Sequence, residues 1–310
     1  MQPKENFLEA IKFGKPQYVP MSCEDIIINF GYEDMLKFAT WTDRWGVGWK
    51  FSMEGTTPHP KINPLADIRN LSSYKFPDPF GLVLSEKSIY EMKQVDRSQK
   101  LIQGTLYYLL FERVCTLMGM DNFIMAIYDF PDEVHFLLHK IADYARKAFD
   151  RYLELGVDVI EFSEDLGSQR ALMISPTVFR EFLLPEYKYI FENVIKEKKI
   201  VNFHSCGCVD EIAYDLASIG VHMLNPIQAR ANDIIKLKRD TMGKMALRGG
   251  IDSHLLLKGT PEQVKHETIR ILEILKPNGG YVCGPDQYFP EFPIENMNAM
   301  WSVAREYGRY

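Results

Sequence analysis

Short apolar runs alternate with longer amphipathic stretches from about residue 100 onward. Each run is rich in β-branched or aromatic residues and leads into glycine or polar residues, which is typical of a buried strand followed by a loop. The runs occupy residues 101–106, 157–163, 200–204, 222–227, 245–251 and 280–283. Their alternation with helical stretches predicts βαβ units and a parallel sheet.

The stretches between the runs carry clear helix signals. Apolar residues between 134 and 152 recur at helical spacing, which predicts a helix with one buried face. Ser175-Pro176 and Thr260-Pro261 each place a capping hydroxyl before a proline at the first helical position. Gln263 completes a capping box with Thr260, and the Lys-Pro-Asn-Gly-Gly segment at 276–280 predicts the end of that helix.

A further apolar run at 19–23 brings the chain close to the eight strands of a closed barrel. We therefore predict an α/β fold, a (β/α)8 TIM barrel, that forms a single domain over residues 1–310. No Gly-x-Gly-x-x-Gly opens a helix after an early strand, which argues against dinucleotide binding. Residues 30–100, with Trp41, Trp45 and Trp49, are predicted to form an excursion that covers the barrel mouth, although each tryptophan taken singly is more easily explained as core.

Composition narrows the functional classes. The 310 residues are 46% hydrophobic and 25% charged with a net charge of −6, which gives no basic footprint for nucleic acid. Five cysteines, an odd number, favour a reducing compartment and metal chemistry over a disulfide framework. The first residues lack an apolar leader and no long stretch is free of charge, so we predict a cytoplasmic protein that does not span a membrane.

His204, Cys206 and Cys283 are the candidate metal ligands. His204 and Cys206 are two residues apart at the end of one predicted strand, so their side chains point the same way. Cys283 ends another predicted strand. One imidazole and two thiolates suit Zn²⁺, and three protein ligands leave a position free for chemistry.

Alternatives to this metal site remain open at the level of sequence. Free cysteines often only fill space in a core, and Cys23 and Cys115 are interpreted in that way. Cys208 continues the same alternation as Cys206 and is an extra ligand or a spectator. A fourth protein ligand would favour a structural metal and a non-catalytic binding barrel.

Polar residues recur where the predicted strands end, which is where barrel enzymes carry their functional side chains. Glu164 and Asp165 are the acidic pair predicted to fill a metal position or to transfer a proton. An equally good interpretation is that they only form structural hydrogen bonds, at a strand end or as a helix N-cap. Asp252 is a catalytic candidate or a turn residue. Glu24 and Gln228 are candidate substrate-binding residues.

Several of these motifs together resemble the uroporphyrinogen decarboxylase superfamily, whose fold is a (β/α)8 barrel. The resemblance covers essentially the whole chain. It is strongest in Gly-Val-Asp-Val-Ile at 156–160, Glu-Asp-Leu-Gly-Ser-Gln at 164–169, Ser-Pro at 175–176, Phe-His-Ser-Cys-Gly at 203–207, Asn-Pro-Ile-Gln at 225–228 and Gly-Gly-Ile-Asp at 249–252.

Two departures separate the branches of this superfamily. The decarboxylases carry an arginine-rich N-terminal motif for substrate carboxylates, whereas the matching segment 16–25 contains no arginine. They also carry Gly-His-Gly near the C-terminus, where residues 282–285 are Val-Cys-Gly-Pro. The zinc-dependent, corrinoid-linked methyltransferases carry His-x-Cys with a distant Cys, which His204, Cys206 and Cys283 match.

This resemblance implies an enzyme that moves a methyl group between a corrinoid and a small thiol, methyl ether or methanol-type substrate. Zn²⁺ would be the metal, and the corrinoid would arrive on a separate protein because the Asp-x-His-x-x-Gly cobalamin motif is absent. Two thiolates slightly favour a thiol acceptor, but the direction of transfer stays open. Uroporphyrinogen decarboxylation, a non-catalytic metal-binding barrel and homo-oligomer formation also remain open.

Overall fold

The computed structural model describes residues 1–32, 40–51, 58–82 and 84–310. The strands are β1 (Ile27–Gly31), β2 (Thr40–Thr42), β3 (Gly48–Lys50), β4 (His59–Ile62), β5 (Leu101–Leu106), β6 (Val159–Ser163), β7 (Ile200–His204), β8 (Met223–Ile227), β9 (Ala246–Ile251) and β10 (Tyr281–Pro285). The helices are α1 (Pro3–Ile11), α2 (Glu86–Gln94), α3 (Phe111–Met118), α4 (Met120–Asp129), α5 (Pro131–Glu154), α6 (Pro176–Val178), α7 (Leu184–Lys196), α8 (Ala213–Ser218), α9 (Ile234–Thr241), α10 (Ser253–Lys258), α11 (Pro261–Leu275) and α12 (Ile294–Tyr307). Short 3₁₀ turns lie at Ser22–Glu24, Ile68–Ser73 and Pro79–Gly81, and a π-helical turn, Phe179–Leu183, joins α6 to α7.

Seven strands form one curled sheet in the order β1-β5-β6-β7-β8-β9-β10. Every neighbouring pair in this sheet is parallel. Helices connect the strands in the βαβ pattern, so that the carboxyl ends of all seven strands meet at one edge. The TIM-barrel-like α/β fold predicted from the sequence is confirmed.

The closing position of the barrel differs in detail from the prediction. The segment 19–23 forms a single parallel bridge, Met21 to Cys283, in which Cys283 N–H donates to Pro20 O at 2.8 Å. The first strand of the sheet is instead β1, at 27–31, whose last two residues overlap the excursion predicted at 30–100. The side chains of β1 are mostly half-buried or exposed, and its pattern was therefore weaker than that of the later strands.

The helix signals are confirmed. Ser175 accepts a hydrogen bond from Val178 N–H at the start of α6. Thr260 and Gln263 form a capping box at the start of α11, which ends at Leu275 as the 276–280 segment predicted. The buried face of α5 contains Val134, Leu137, Leu138, Ile141, Ala145, Ala148 and Tyr152.

The described part of the 30–100 region contains an antiparallel sheet of β2, β3 and β4. Trp41, Trp45 and Trp49 are all buried, as ordinary core packing requires. Asp43 ties this sheet to the barrel because its Oδ2 accepts from Trp49 Nε1 at 2.9 Å and pairs with Arg113 of α3 at 3.2 Å. Residues 33–39, 52–57 and 83, which belong to the predicted excursion, lie outside the described residues.

The barrel interior has an apolar level and a polar level. Alternate side chains of each strand point inward, so residues at one height form a layer. The lower layer is apolar and contains Leu101, Val159, Ile200, Met223, Ala246 and Val282. The layer above it is polar and contains Gln103, Glu161, Asn202, Asn225 and Arg248, which form the floor beneath the carboxyl ends.

The helices also bear on the prediction that the protein does not span a membrane. Within the described residues, no helix combines the length and the apolar character that crossing a bilayer demands.

Candidate functional site

A cavity of about 920 Å³ opens at the carboxyl ends of the strands. Its wall includes the last residues of β6, β7 and β10, two residues near the end of β8, and loops that follow the strands. Among the lining residues are Ser163, Asp165, His204, Cys206, Asn225 and Asp286. In barrels of this type, this is the edge where chemistry takes place.

His204 is the last residue of β7, and Asn225 of the neighbouring strand holds its ring. Nδ1 of His204 lies 3.3 Å from Oδ1 of Asn225. The amide nitrogen of Asn225 donates to Oδ1 of Asn202 at 2.6 Å, which fixes the orientation of the amide. Nδ1 of His204 therefore carries the hydrogen, and the lone pair of Nε2 is available as a metal ligand.

Cys206 and Asp165 lie next to this nitrogen. Nε2 of His204 is 3.6 Å from Sγ of Cys206 and 3.7 Å from Oδ1 of Asp165. The three ligand atoms all lie within 4.8 Å of one another. The structure thus brings together two of the predicted metal ligands and one of the two predicted carboxylates.

This donor set fits a zinc ion. In a tetrahedral zinc site with ordinary bond lengths, nitrogen and sulfur ligands are roughly 3.5 Å apart, close to the separation found here. Burial, with Asp165 adding to it, raises the pKa of the Cys206 thiol to about 12. A cation between the three groups would displace that proton and stabilise the thiolate.

The loops that carry Asp165 and Cys206 are fastened to each other. Cys208 N–H donates to Ser168 O at 2.7 Å, and Leu166 N–H donates to Ser205 Oγ at 3.0 Å. Gly207 has a φ of +82°, and a Cβ at this position would overlap the backbone of Gly167. The close approach of these two glycines allows the two ligand loops to pack together.

Cys283 is not part of this group, and the prediction that it is the third ligand disagrees with the structure. Its thiol is fully buried beside Tyr281, among side chains that face the helices. Successive side chains of a strand alternate between the two faces. Val282 occupies the inward position in β10, so Cys283 points away from the cavity.

Glu164 also points away from the cavity, against its predicted catalytic role. The same alternation along β6 sends Asp165 to the mouth and Glu164 outward. Its buried carboxylate accepts from the N–H groups of Leu110 and Phe111 at the start of α3, and from Tyr187 Oη. Glu164 therefore caps a helix N-terminus, and burial raises its pKa to about 8.

The remaining candidates have structural contacts instead of places in the cavity. Asp252 is the N-cap of α10, where it accepts from His254 N–H at 2.8 Å, and it pairs with Arg230 at 3.5 Å. Glu24 lies in a separate groove beside Tyr18 and Arg305. These placements disagree with a catalytic Asp252 and with Glu24 as a ligand of the mouth cavity.

Gln228 supports the loop that carries Cys206 without lining the cavity. Its Oε1 accepts from Gly207 N–H at 2.7 Å, directly after Cys206. That Gln228 binds substrate stays a prediction; the contact that the structure shows is one that positions the loop. The buried amide holds the loop that presents the thiol.

The other cysteines lie outside the group as well. Sγ of Cys208 is 3.7 Å from Asp210 Oδ1, and Cys208 is not among the residues whose ligand atoms cluster around His204. Cys115 packs against the core, as predicted, whereas Cys23 is exposed and is not a core residue.

Comparison with known proteins agrees with this architecture. The family model described as uroporphyrinogen decarboxylase matches residues 44–307. The chain belongs to the uroporphyrinogen decarboxylase family. This family model spans both ligand loops and every strand of the large sheet except β1.

Two curated family members show the range of similarity. Uroporphyrinogen decarboxylase of Chlorobaculum tepidum is 27% identical over 221 residues, covering 69% of this chain and 60% of that protein. The enzyme of the same name from Chlorobium limicola is 28% identical over 231 residues, covering 71% and 62%. The match therefore spans about three fifths of the length of these relatives.

A solved structure resembles the whole chain. It is a methyltransferase from Methanosarcina mazei, with a TM-score of 0.74 and 18% identity, and the match covers 99% of both chains. At this identity the similarity establishes the fold of this family member.

Glu112 and Asp286 add two further acidic groups to the cavity. Glu112 belongs to α3, outside any strand end, and it accepts from Ser163 Oγ at 2.6 Å. Burial raises its pKa to about 7. Asp286 follows β10, as expected of a functional residue at a strand end, and accepts from Ser253 N–H at 2.9 Å.

The charges of the cavity wall are mostly negative. Among the described residues, the lining includes the carboxylates Glu112, Glu161, Asp165 and Asp286 and a single arginine, Arg248. Such a wall favours cations and disfavours a ligand with many carboxylates.

Proposed function

We propose that this protein is a zinc-dependent methyltransferase that transfers a methyl group between a protein-bound corrinoid and a small substrate. The observation that carries the proposal is the group Asp165, His204 and Cys206, which lies at the wall of an open, acidic cavity. Three protein ligands leave one position for a substrate atom. A structural zinc site would use four protein ligands instead.

The ligand set also bears on the direction of transfer. Zinc, when bound, acts as a Lewis acid on a substrate oxygen or holds a substrate thiol as thiolate. One thiolate and one carboxylate donate less electron density than the two thiolates expected from the sequence. We therefore favour a methyl ether or methanol-type donor over a thiol acceptor.

The chain's own groups have distinct tasks in this reaction. Asn225 holds the ring of His204 so that Nε2 faces the metal position. Glu112 reaches the cavity with a pKa of about 7, so it can deliver a proton to the leaving oxygen. In the balanced reaction a methyl ether, a proton and cob(I)alamin give an alcohol and methylcob(III)alamin.

The corrinoid in this proposal is a substrate carried by a separate protein. The described residues leave the cavity open at the strand ends, which is where such a partner would have to dock. The reacting carbon of a small methyl ether would then lie between the metal position and the corrinoid.

Uroporphyrinogen decarboxylation is the second candidate, and the names of the curated relatives favour it. The cavity argues against it because one arginine cannot pair with the many carboxylates of a porphyrinogen. Incubation with uroporphyrinogen should give no coproporphyrinogen. Product formed at rates on the order of 1 per second or faster would contradict our proposal.

The decisive experiment follows the visible spectrum of cob(I)alamin with a panel of methyl ethers and methanol. Conversion to methylcob(III)alamin should require zinc, measured on the same sample. The Glu112→Gln variant should bind zinc normally and slow the conversion by about 10²–10⁴-fold. The surface variant Glu262→Gln, at the start of α11, serves as the matched control. Full activity of Glu112→Gln would remove this carboxylate from the mechanism.

A further inference from the structure

Arg248 occupies an unusual position within the barrel. It projects from β9 into the polar layer that forms the floor of the cavity, and it lines that cavity. It also borders a smaller cavity of about 150 Å³ beside residues 21–27. Arg248 is half-buried, and desolvation lowers its pKa from the ordinary value.

The guanidinium has no protein acceptor in the part of the chain that the structure describes. The other polar residues of this layer, Gln103, Glu161, Asn202 and Asn225, have hydrogen-bond partners. Glu161 illustrates the contrast: it accepts from Gln103 Nε2 at 2.7 Å, Asn202 Nδ2 at 2.9 Å and Thr105 Oγ1 at 3.3 Å. Glu161 attracts Arg248 electrostatically, but the two charged groups do not reach ion-pair distance.

A half-buried guanidinium that lines a cavity and has no protein acceptor presents its five N–H donors to whatever occupies that cavity. Its planar fork matches the two oxygens of a carboxylate. We propose that Arg248 binds a carboxylate group of the substrate at the floor of the cavity.

The rest of the cavity limits this ligand to a single negative charge. Glu112, Asp165 and Asp286 would repel a second anionic group. Tyr107 and Tyr108 also line the cavity, and their rings offer apolar surface to the body of the ligand. The substrate class is therefore a small monocarboxylate.

This inference rests on the proposed function, since the monocarboxylate would be the methylated substrate of the same site. A ligand without a methyl group tests the anchor independently of methyl transfer. Benzoate and benzamide form a suitable pair because they share size and ring but differ in charge. Binding is measured by titration calorimetry on zinc-loaded protein and on protein treated with a chelator.

Benzoate should bind wild-type protein about tenfold or more tightly than benzamide, because it makes charge-assisted hydrogen bonds. Arg248→Met should remove this preference and leave benzamide binding unchanged. Arg248→Lys keeps the positive charge but not the planar guanidinium, so it should lose most of the preference for benzoate. Arg305→Met, in the separate groove, is the matched control and should bind both ligands as wild type does.

Three outcomes would overturn the assignment. Equal affinities of wild-type protein for benzoate and benzamide would show that Arg248 is not a carboxylate anchor, and this comparison needs no variant. Benzoate binding that survives in folded Arg248→Met would place the carboxylate elsewhere. Binding that depends on zinc but not on Arg248 would assign it to the metal. A failed methyl-transfer assay with intact benzoate selectivity would contradict the proposed function alone.

Discussion

Asp165 and Cys206 are joined by a hydrogen bond between a side chain and the main chain: the N–H of Cys206 donates to Oδ1 of Asp165 at 2.9 Å. The same oxygen lies 3.7 Å from Nε2 of His204. One carboxylate atom thus orients the thiol loop and also faces the metal position.

Replacing Asp165 by Asn separates these two tasks. The amide oxygen can still accept from Cys206 N–H, so the loop should keep its conformation, but the negative charge is lost. We expect zinc affinity to fall by at least about 10–100-fold. This is the loss that removing a hydrogen-bond partner of a metal ligand typically causes. Competition with a chromophoric chelator measures the affinity. Wild-type affinity in Asp165→Asn would show that Asp165 is not a ligand.

Cysteine variants test the ligand set directly. Cys206→Ser should lose zinc, because a soft thiolate is replaced by a weakly acidic hydroxyl. Cys283→Ser should retain one zinc per chain, because the Cys283 thiol faces the helices instead of the cavity. Metal analysis after gel filtration distinguishes them. Loss of zinc from a folded Cys283→Ser protein would restore the ligand set predicted from the sequence.

Asn225 should act as a positioning residue for His204. Asn225→Leu removes the acceptor of the Nδ1 hydrogen and should weaken zinc binding by about 10–100-fold. Asn225→Asp keeps an acceptor at the same place and should bind zinc more tightly than Asn225→Leu. Equal affinities of the two variants would show that the hydrogen bond at 3.3 Å has no orienting role.

Alanine substitutions at two glycines test how tightly the loop of Asp165 packs against the loop of Cys206. Gly207 and Gly243 both have positive φ, of +82° and +74°, so alanine strains the backbone at either position. At Gly207 the new Cβ would also meet the backbone of Gly167. At Gly243 nothing lies within 4 Å of the new Cβ. Gly207→Ala should therefore lower the free energy of unfolding by at least about 1–3 kcal/mol more than Gly243→Ala. Chemical denaturation measures both variants, and equal losses would mean that the loops can separate without cost.

Lys238 should make stability depend on pH in the alkaline range. It is buried and donates to Leu275 O at 2.6 Å, and burial lowers its pKa from 10.5 to about 8. The unfolded chain therefore binds more protons between pH 8 and 10.5, so this group makes stability rise with pH across that window. The contribution reaches at most about 3 kcal/mol. Lys238→Met should abolish this part of the pH dependence in urea denaturation, whereas the exposed Lys87→Met should not.

The sequence predicted the barrel well because alternating strands and helices leave a strong local pattern, as in β7 and α5. It also predicted the His204 and Cys206 pair, since residues two apart on a strand share a face. It failed for Cys283 and Glu164 because the inward or outward phase of a strand depends on register across the sheet. It missed Glu112 because a helix residue reaches the cavity only through tertiary packing.

The rim of the cavity has two parts that tolerate substitution to different extents: the packed loops of Asp165 and Cys206, and the rest of the rim. A side chain at Gly167 or Gly207 would meet the backbone of the opposite loop, so neither glycine can be replaced unless the loops move apart. Tyr107 and Tyr288, on other parts of the rim, have exposed fractions of 47% and 71%. Evolution or laboratory selection can therefore alter the ligand preference through these tyrosines while the metal position stays intact, which makes them the natural sites for a library that seeks new substrates.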